Sequence, residues 1–446
     1  MSRRTLFVAG VDRDRSYYFW HWIAPEVSAR QAFTVEREVL DPLLARVSDA
    51  LPTARPGERD EQVVERVLTR GALVDLAAER KLTRDLAAAF LPGDLASEIA
   101  RGFVDNGEQP ILLRLMPSAL AAQIPWELLP VEVTGADGTT RTRRLIELAD
   151  IAYDVPAGIH VGRSKTPEPW AGPASRALYI VDPDTRVYGP VLSDEALASL
   201  AERIADKGVT ASVAGGEFTR ADLHKALTSA RSHPGRLMFV GHVVSSTENP
   251  SATSMMLSDA PTMYGAAETI TRGVKSNRPL SALDLFEGTA NSSLRLPEVV
   301  RSFGKSGRIE WPGGDDTPTA GAEIWPMPTR VALIACNSGS DLRNPEPFGL
   351  ALALINAGAG FVSATKWTLP TDYAFHLFAK TTANPLVDLT IAVDDAHSAT
   401  DPLVELAAWQ RGRLAEWEAG GDVAASPILW SSLSNYLGDE REVSAA

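Results

Sequence analysis

The chain has 446 residues, 45% of them apolar and 22% charged, with a formal net charge of −14 and a single cysteine. This is the balance of a soluble globular protein with room for two or three domains, and its acidic excess argues against a nucleic-acid backbone as the main partner. One cysteine excludes a disulfide within the chain, no Cys/His cluster has zinc spacing, and no apolar run approaches the ~18 residues of a membrane span. In the opening "MSRRTLFVAGVDRDRS", Asp12 and Asp14 end a short apolar run too soon for a secretory leader, so a cytoplasmic protein is expected.

In chain order, "TVEREVLDPLLARVSDAL" and "RDEQVVERVLTRGALVDLAAERKLTRDLAAAFL" place apolar residues at three- and four-residue steps and predict helices. "PILLRLMPSAL" and "RTRRLIELADIAYDV" predict strands, with "GADGTT" turning between them. "RSKTPEPWAGPASR" (163–176) has three prolines and a glycine and no periodicity, so it predicts a linker. Beyond it the rhythm is regular. "RALYIVDP", "VTASVAGG", "RLMFVGH", "RVALIAC" and "FVSAT" predict strands. "SDEALASLAERIADKG", "TRADLHKALTSA" and "PFGLALALINAGAG" predict helices, the first capped by Ser193 and the second by Thr219 and Asp222 in capping-box spacing.

Alternation of this kind predicts an α/β fold with a mostly parallel sheet covered on both faces. The expected division is a mixed α/β region over 1–165, a partner-like or docking domain, and a second domain over 166–446. Residues 243–329, rich in Ser, Thr, Gly, Pro and Asp, interrupt the second domain as a long functional or mobile insertion.

In open α/β sheets, ligands bind beyond the C-terminal ends of the strands. Two such ends carry reactive side chains: His242 closes "RLMFVGH" and Cys336 closes "RVALIAC". On adjacent strands they would bring a thiol, only a few per cent ionised at neutral pH, beside a base able to activate it. A lone cysteine at a strand end is equally at home as a small core residue, and spacing alone leaves both readings open. "NAGAGFVS" lacks the third glycine of a nucleotide loop and ends a helix instead of opening one, so no cofactor is expected.

The blocks "LMFVGH" and "VALIACNSGS…EPFGLALALINAGAGFVSATKWTLPTD" resemble the CHAT-domain family of caspase- and separase-like bacterial cysteine peptidases. "IPWELLP" (124–130) is similar to the family's upstream element and "SPILWSSLSNYLGD" to its closing segment, so the resemblance spans roughly 110–440. It implies a caspase-like three-layer sandwich and peptide-bond hydrolysis with Cys336 as nucleophile and His242 as acid/base. Where the family carries glycine after the histidine, Val243 stands here; its backbone N–H, with that of Cys336, would form the oxyanion hole. Asp372 matches an acidic position near the substrate pocket, favouring Arg or Lys before the scissile bond; its alternative role is to cap the helix that follows it. Asp182 and Asp184 would line the same pocket or form an ordinary Asp-Pro-Asp turn, and Trp367 would wall the cleft or fill the core. The resemblance also implies a protein substrate, of which a pore-forming protein is one class, and an activating partner or signal in a bacterial defence or regulated-death system. The alternative is a catalytically silent scaffold of the same fold.

Overall fold

The computed structural model describes residues 3–23, 30–135, 137–205, 207, 209–229, 233–245, 249–263, 265–288, 321–335 and 349–438. Cys336 lies outside them. By packing, the chain forms two units: one takes 1–156 with 363–446, and the other runs from 157 to 362 apart from 342–347.

The first unit opens with strands β1 (Thr5–Asp12), β2 (Ser16–Ile23) and β3 (Gln31–Val35), an antiparallel meander in which Asp12 pairs with Ser16 and Ser16 with Val35. In β2, "SYYFWHWI", buried and exposed residues alternate over the first five positions, as in a sheet with one covered face. Helices α1 (Arg37–Ala50), α2 (Asp60–Arg70), α3 (Leu76–Phe90) and α4 (Gly93–Asp105) follow. They bury the apolar stripes that their spacing predicts, Leu82, Leu86 and Phe90 in α3 for example. Strand β4 (Ile111–Met116) lies parallel to β1, a hairpin forms from β5 (Pro130–Thr134) and β6 (Thr140–Arg144), and β7 (Ala149–Asp154) lies parallel to β4.

The second unit is built on β8 (Ala177–Val181), β9 (Val209–Ala214) and β10 (Arg236–Gly241), with helices α5 (Asp194–Ala205) and α6 (Arg220–Thr228) between them. Ser193 Oγ accepts the Ala196 N–H at 3.2 Å, and Thr219 and Asp222 form the expected capping box. Residues 163–176 carry neither helix nor strand and are held as a strap. The Lys165 N–H donates to the Asn356 carbonyl (3.2 Å), Thr329 Oγ1 donates to the Glu168 carbonyl (2.7 Å), and the Arg330 guanidinium lies 3.9 Å from the Trp170 ring centroid.

After β10 the excursion builds short strands β11 (Val243–Val244), β12 (Ser254–Met255), β13 (Ile270–Arg272), β14 (Lys275–Asn277) and β15 (Leu280–Ser281), then helix α7 (Ala282–Glu287). Strands β11, β12 and β15 form one small antiparallel sheet; β13 and β14 form a hairpin. In this region Met255, Met256, Leu257, Leu280 and Leu285 are all buried. Arg220, fully buried at the start of α6, holds it down: its guanidinium pairs with Asp259 at 3.3 Å and donates to the Arg278 and Pro279 carbonyls, each at 3.0 Å. The expected insertion is thus, over its described residues, a packed elaboration.

Strand β16 (Arg330–Ala335) returns parallel to β10, giving the order β16-β10-β8-β9 with every neighbouring pair parallel. All residues of β8, β10 and β16 are buried, which is why they read as unbroken apolar runs. Helix α8 (Leu350–Asn356) precedes β17 (Phe361–Thr365), along which the chain passes from the second unit to the first. Helices α9 (Pro385–Ser398) and α10 (Pro402–Gly420) and strand β18 (Leu433–Leu437) complete the first unit, whose strand order is β3-β2-β1-β4-β7-β18 with β18 parallel to β7. The fold is α/β with mostly parallel strands flanked by helices, as the sequence predicts.

A buried charge pair anchors the first unit. Lys366 Nζ meets Glu127 Oε1, Glu127 Oε2 and the Tyr153 hydroxyl, each at 3.0 Å, so all three ammonium donors are satisfied. Burial pushes the Glu127 carboxyl up and the Lys366 ammonium down, and each charge opposes the shift of the other. Glu127 belongs to "IPWELLP" and Lys366 to "SATKWT", so two motifs far apart in sequence meet in one ion pair. Removing one partner strands a buried charge: Glu127→Gln is expected to lower unfolding free energy by about 3–5 kcal/mol, with a Glu127→Leu/Lys366→Met double variant recovering most of the loss. Urea unfolding measures both, and a Glu127→Gln cost under ~1 kcal/mol would contradict the assignment.

Candidate active site

The C-terminal end of β10 delivers Gly241 and then His242, before the chain turns into β11. The His242 carbonyl accepts the Met256 N–H at 3.0 Å, tying the backbone to the residue after β12. Its imidazole is half-buried, and Nε2 lies 2.8 Å from the Gly189 carbonyl oxygen. A carbonyl only accepts, so Nε2 carries the proton, and in the neutral ring the lone pair sits on Nδ1. The Tyr188 ring stacks on the imidazole with centroids 4.8 Å apart and planes at 26°. His242 is therefore a held side chain whose Nδ1 meets no hydrogen-bond partner among the described residues.

The loop from 182 to 192 that supplies Tyr188 and Gly189 is itself held. Asp182 takes up φ +47°, a left-handed conformation that Asp and Asn tolerate better than most residues. Its N–H donates to the Val240 carbonyl at 2.7 Å, and its Oδ2 accepts the N–H groups of Val191 (2.9 Å) and Leu192 (3.1 Å). Burial raises the Asp182 carboxyl above its ordinary range; those two N–H groups and the positive field of His242 work against the rise. Asp184 is exposed, accepts the Arg186 N–H at 2.8 Å and donates its own N–H to the Gly216 carbonyl at 3.0 Å. Both aspartates act as turn builders here, and Asp182 does so within the electrostatic range of His242.

Val243 is buried and paired with Met255. With Met256 N–H bonded to the His242 carbonyl, Val243 and Met255 occupy a non-hydrogen-bonded position of the antiparallel ladder, so strand pairing leaves the Val243 N–H unused. Trp367 and Asp372 belong to the first unit. Trp367 is 1% exposed and donates its indole N–H to the Ile428 carbonyl at 2.8 Å, a core position. Asp372 is buried, and its two oxygens accept the Leu386 and Val387 N–H groups at 2.8 and 3.3 Å, which caps α9. The turn after residue 371 is capped by Thr371, whose Oγ1 accepts the Ala374 N–H at 3.3 Å.

Sequence reading had no signal for Tyr188 and Gly189, which lie 54 and 53 positions before the histidine they hold. Nor did it single out Thr185, whose hydroxyl exchanges hydrogen bonds with the Tyr188 backbone while its carbonyl accepts from the buried Asn277 amide at 3.0 Å.

Fold and site thus describe an α/β protein with a histidine fixed beyond the carboxyl end of a buried parallel strand. The chain belongs to the CHAT domain family, whose model matches residues 80–433. That membership agrees with the motifs above and points to a peptidase class. No curated protein matches the chain. Among solved structures it is similar to the Saccharomyces cerevisiae separase–securin complex, at 8% identity and a TM-score of 0.47, over 97% of this chain and 30% of that one. The chain thus spans less than a third of that protein's length.

The role of Asp182 is open to a direct test. Its folded-state acidity is weaker than that of an unfolded aspartate, so its ionisation opposes folding as pH rises through the interval between the two values. Asparagine escapes that term, can accept both N–H groups on one oxygen, and tolerates the positive φ. Asp182→Asn should lie within about 1 kcal/mol of wild type at pH 7, whereas Asp182→Ala should lose about 2–3 kcal/mol. Hydrogen exchange at the Val191 and Leu192 amides checks this: protected in Asn, fast in Ala, with equal protection in both contradicting the role.

Proposed function

We propose that the protein is a cysteine endopeptidase in which Cys336 is the nucleophile and His242 the acid/base. The observation that carries this reading is His242 itself, with Nε2–H committed to the Gly189 carbonyl and Nδ1 left as the base. Strand register supports it further. Gly241 and Ala335 are partners on adjacent parallel strands, and His242 and Cys336 are the next residues of each.

In the proposed reaction, His242 Nδ1 takes the thiol proton as Cys336 Sγ attacks the scissile carbonyl carbon. The tetrahedral oxyanion is held by the N–H groups of Val243 and Cys336; the former is a donor that strand pairing leaves unused. Collapse breaks the C–N bond, the imidazolium gives its proton to the leaving amine, and a water deprotonated by the same nitrogen hydrolyses the thioester. Family membership supports this chemistry and, more broadly, action on one chosen protein, such as a pore former, after a partner or signal activates the enzyme in a bacterial defence or regulated-death setting.

Cys336→Ala should abolish cleavage by the activated protein while leaving its unfolding midpoint unchanged, and His242→Ala should cost at least about 10²-fold in rate. Digestion of a candidate substrate followed by gel and mass spectrometry reads both. Cleavage that persists in Cys336→Ala overturns the assignment; a wild-type thiol inert toward an electrophilic peptide assigns the fold to the silent scaffold.

A further inference from the structure

We propose that Tyr188 is a positioning residue for His242 and that the β13–β14 hairpin of the excursion holds Tyr188 in place. The inference rests on the peptidase reading above. One hydrogen bond from Nε2 to Gly189 fixes an edge of the imidazole but leaves the ring free to tilt about the bond. A face-stacked neighbour removes that tilt, and Tyr188 is that neighbour, with centroids at 4.8 Å. Proton transfer needs Nδ1 aimed within hydrogen-bond reach of its partner, so the plane of the ring decides whether the base works.

Two contacts run from the hairpin to this tyrosine. Arg272, at the end of β13, sets its guanidinium 4.2 Å from the Tyr188 ring centroid. Asn277, at the end of β14 and fully buried, donates its amide to the Thr185 carbonyl at 3.0 Å and also to the Leu257 carbonyl. Thr185 in turn brackets the Tyr188 backbone, accepting its N–H at 3.1 Å. One contact braces the ring and the other the turn beneath it. Between them the hairpin tip projects into solvent, with Gly273 at φ +62° and Val274 fully exposed. The strands thus contribute their ends to the histidine loop while their tip contributes nothing to packing. The charged groups set around the imidazole through this arrangement are Asp182, whose carboxylate senses the His242 charge, and Arg272 above Tyr188.

The test uses the full chain and iodoacetamide, whose rate of reaction with the single cysteine is followed by mass spectrometry from pH 5.5 to 10. A paired thiol reacts below the ~8.5 midpoint of a free one, so the profile reports whether the imidazole is in place. His242→Ala should move the profile to that of a free thiol. Tyr188→Ala should lower the rate at pH 7 about tenfold and move the midpoint the same way, with Tyr188→Phe restoring most of it. Arg272→Ala, at an exposed position where loss of fold is not expected, should give a shift of the same sign and about two- to threefold. Tyr188→Ala and Arg272→Ala profiles superimposable on wild type, with His242→Ala shifted, overturn this inference and leave the dyad standing. An unshifted His242→Ala profile overturns the dyad and the inference with it.

Discussion

The parallel pairing of β10 with β16 and β8 is the constraint from which the rest of the second unit follows. All six residues of β10 and of β16 are buried, and their register runs without slip from Arg236↔Arg330 to Gly241↔Ala335. Parallel strands with both faces covered need crossover connections, and their carboxyl ends open onto loops that no hairpin closes. Gly241 and Ala335 therefore end side by side at one edge. The long excursion is possible there because loop length costs little once the ends are fixed: each doubling adds only about 0.6 kcal/mol of closure entropy.

Buried charge marks where distant segments must meet. Glu127 and Lys366 lock the "PWELL" turn to the segment after β17, and Arg220 locks α6 to the excursion through Asp259 and two carbonyls. In each case the ionic group is almost wholly removed from water and faces an opposite charge. Such pairs add little net stability over an apolar replacement but penalise wrong arrangements heavily, because a stranded charge has no solvent to turn to. Here that penalty falls on misplacement of the segments that carry the family motifs, which gives Glu127 and Lys366 a physical task without assigning them to chemistry.

Much of the fold was legible because its rules are local. Five- and six-residue apolar runs announced β8, β10, β16 and β17, and Ser193 and the Thr219/Asp222 pair announced two helix starts. The first unit was harder to read. "RTRRLIELADIAYDV" reads as one strand but resolves into β6, a single helical turn at Leu145–Leu148 and β7, because Glu147 reaches back to accept the Arg144 N–H and ends the extended run. Strands β1 to β3 gave no clear signal, since the aromatic density of "SYYFWHWI" obscures the alternation that burial reveals. At the site, His242 was legible as a strand-end residue. The carbonyl and ring that hold it were not, because long-range contacts across a turn leave no periodicity. Asp372 and Trp367 were legible as residues that matter, but the first unit employs them as a helix cap and a core indole.

Valine after the histidine illustrates how local chemistry and tertiary context divide the work. Glycine at such a position supplies an N–H with the least steric demand; valine supplies the same N–H but brings a β-branched side chain that prefers extended backbone. This chain gives it extended backbone: Val243 begins β11, its side chain is buried, and Met255 faces it in a pair that leaves the amide unengaged by the ladder. The excursion supplies β12 as the partner of this strand and β15 on the far side of β12. On the proposed reading, the N–H that glycine would offer comes from a stiffer residue whose extended backbone β12 supports. On that reading the excursion forms part of the wall of the proposed site, through the β11–β12 pairing and the contacts of Arg272 and Asn277 to the 182–192 loop, and is not a cover laid over it.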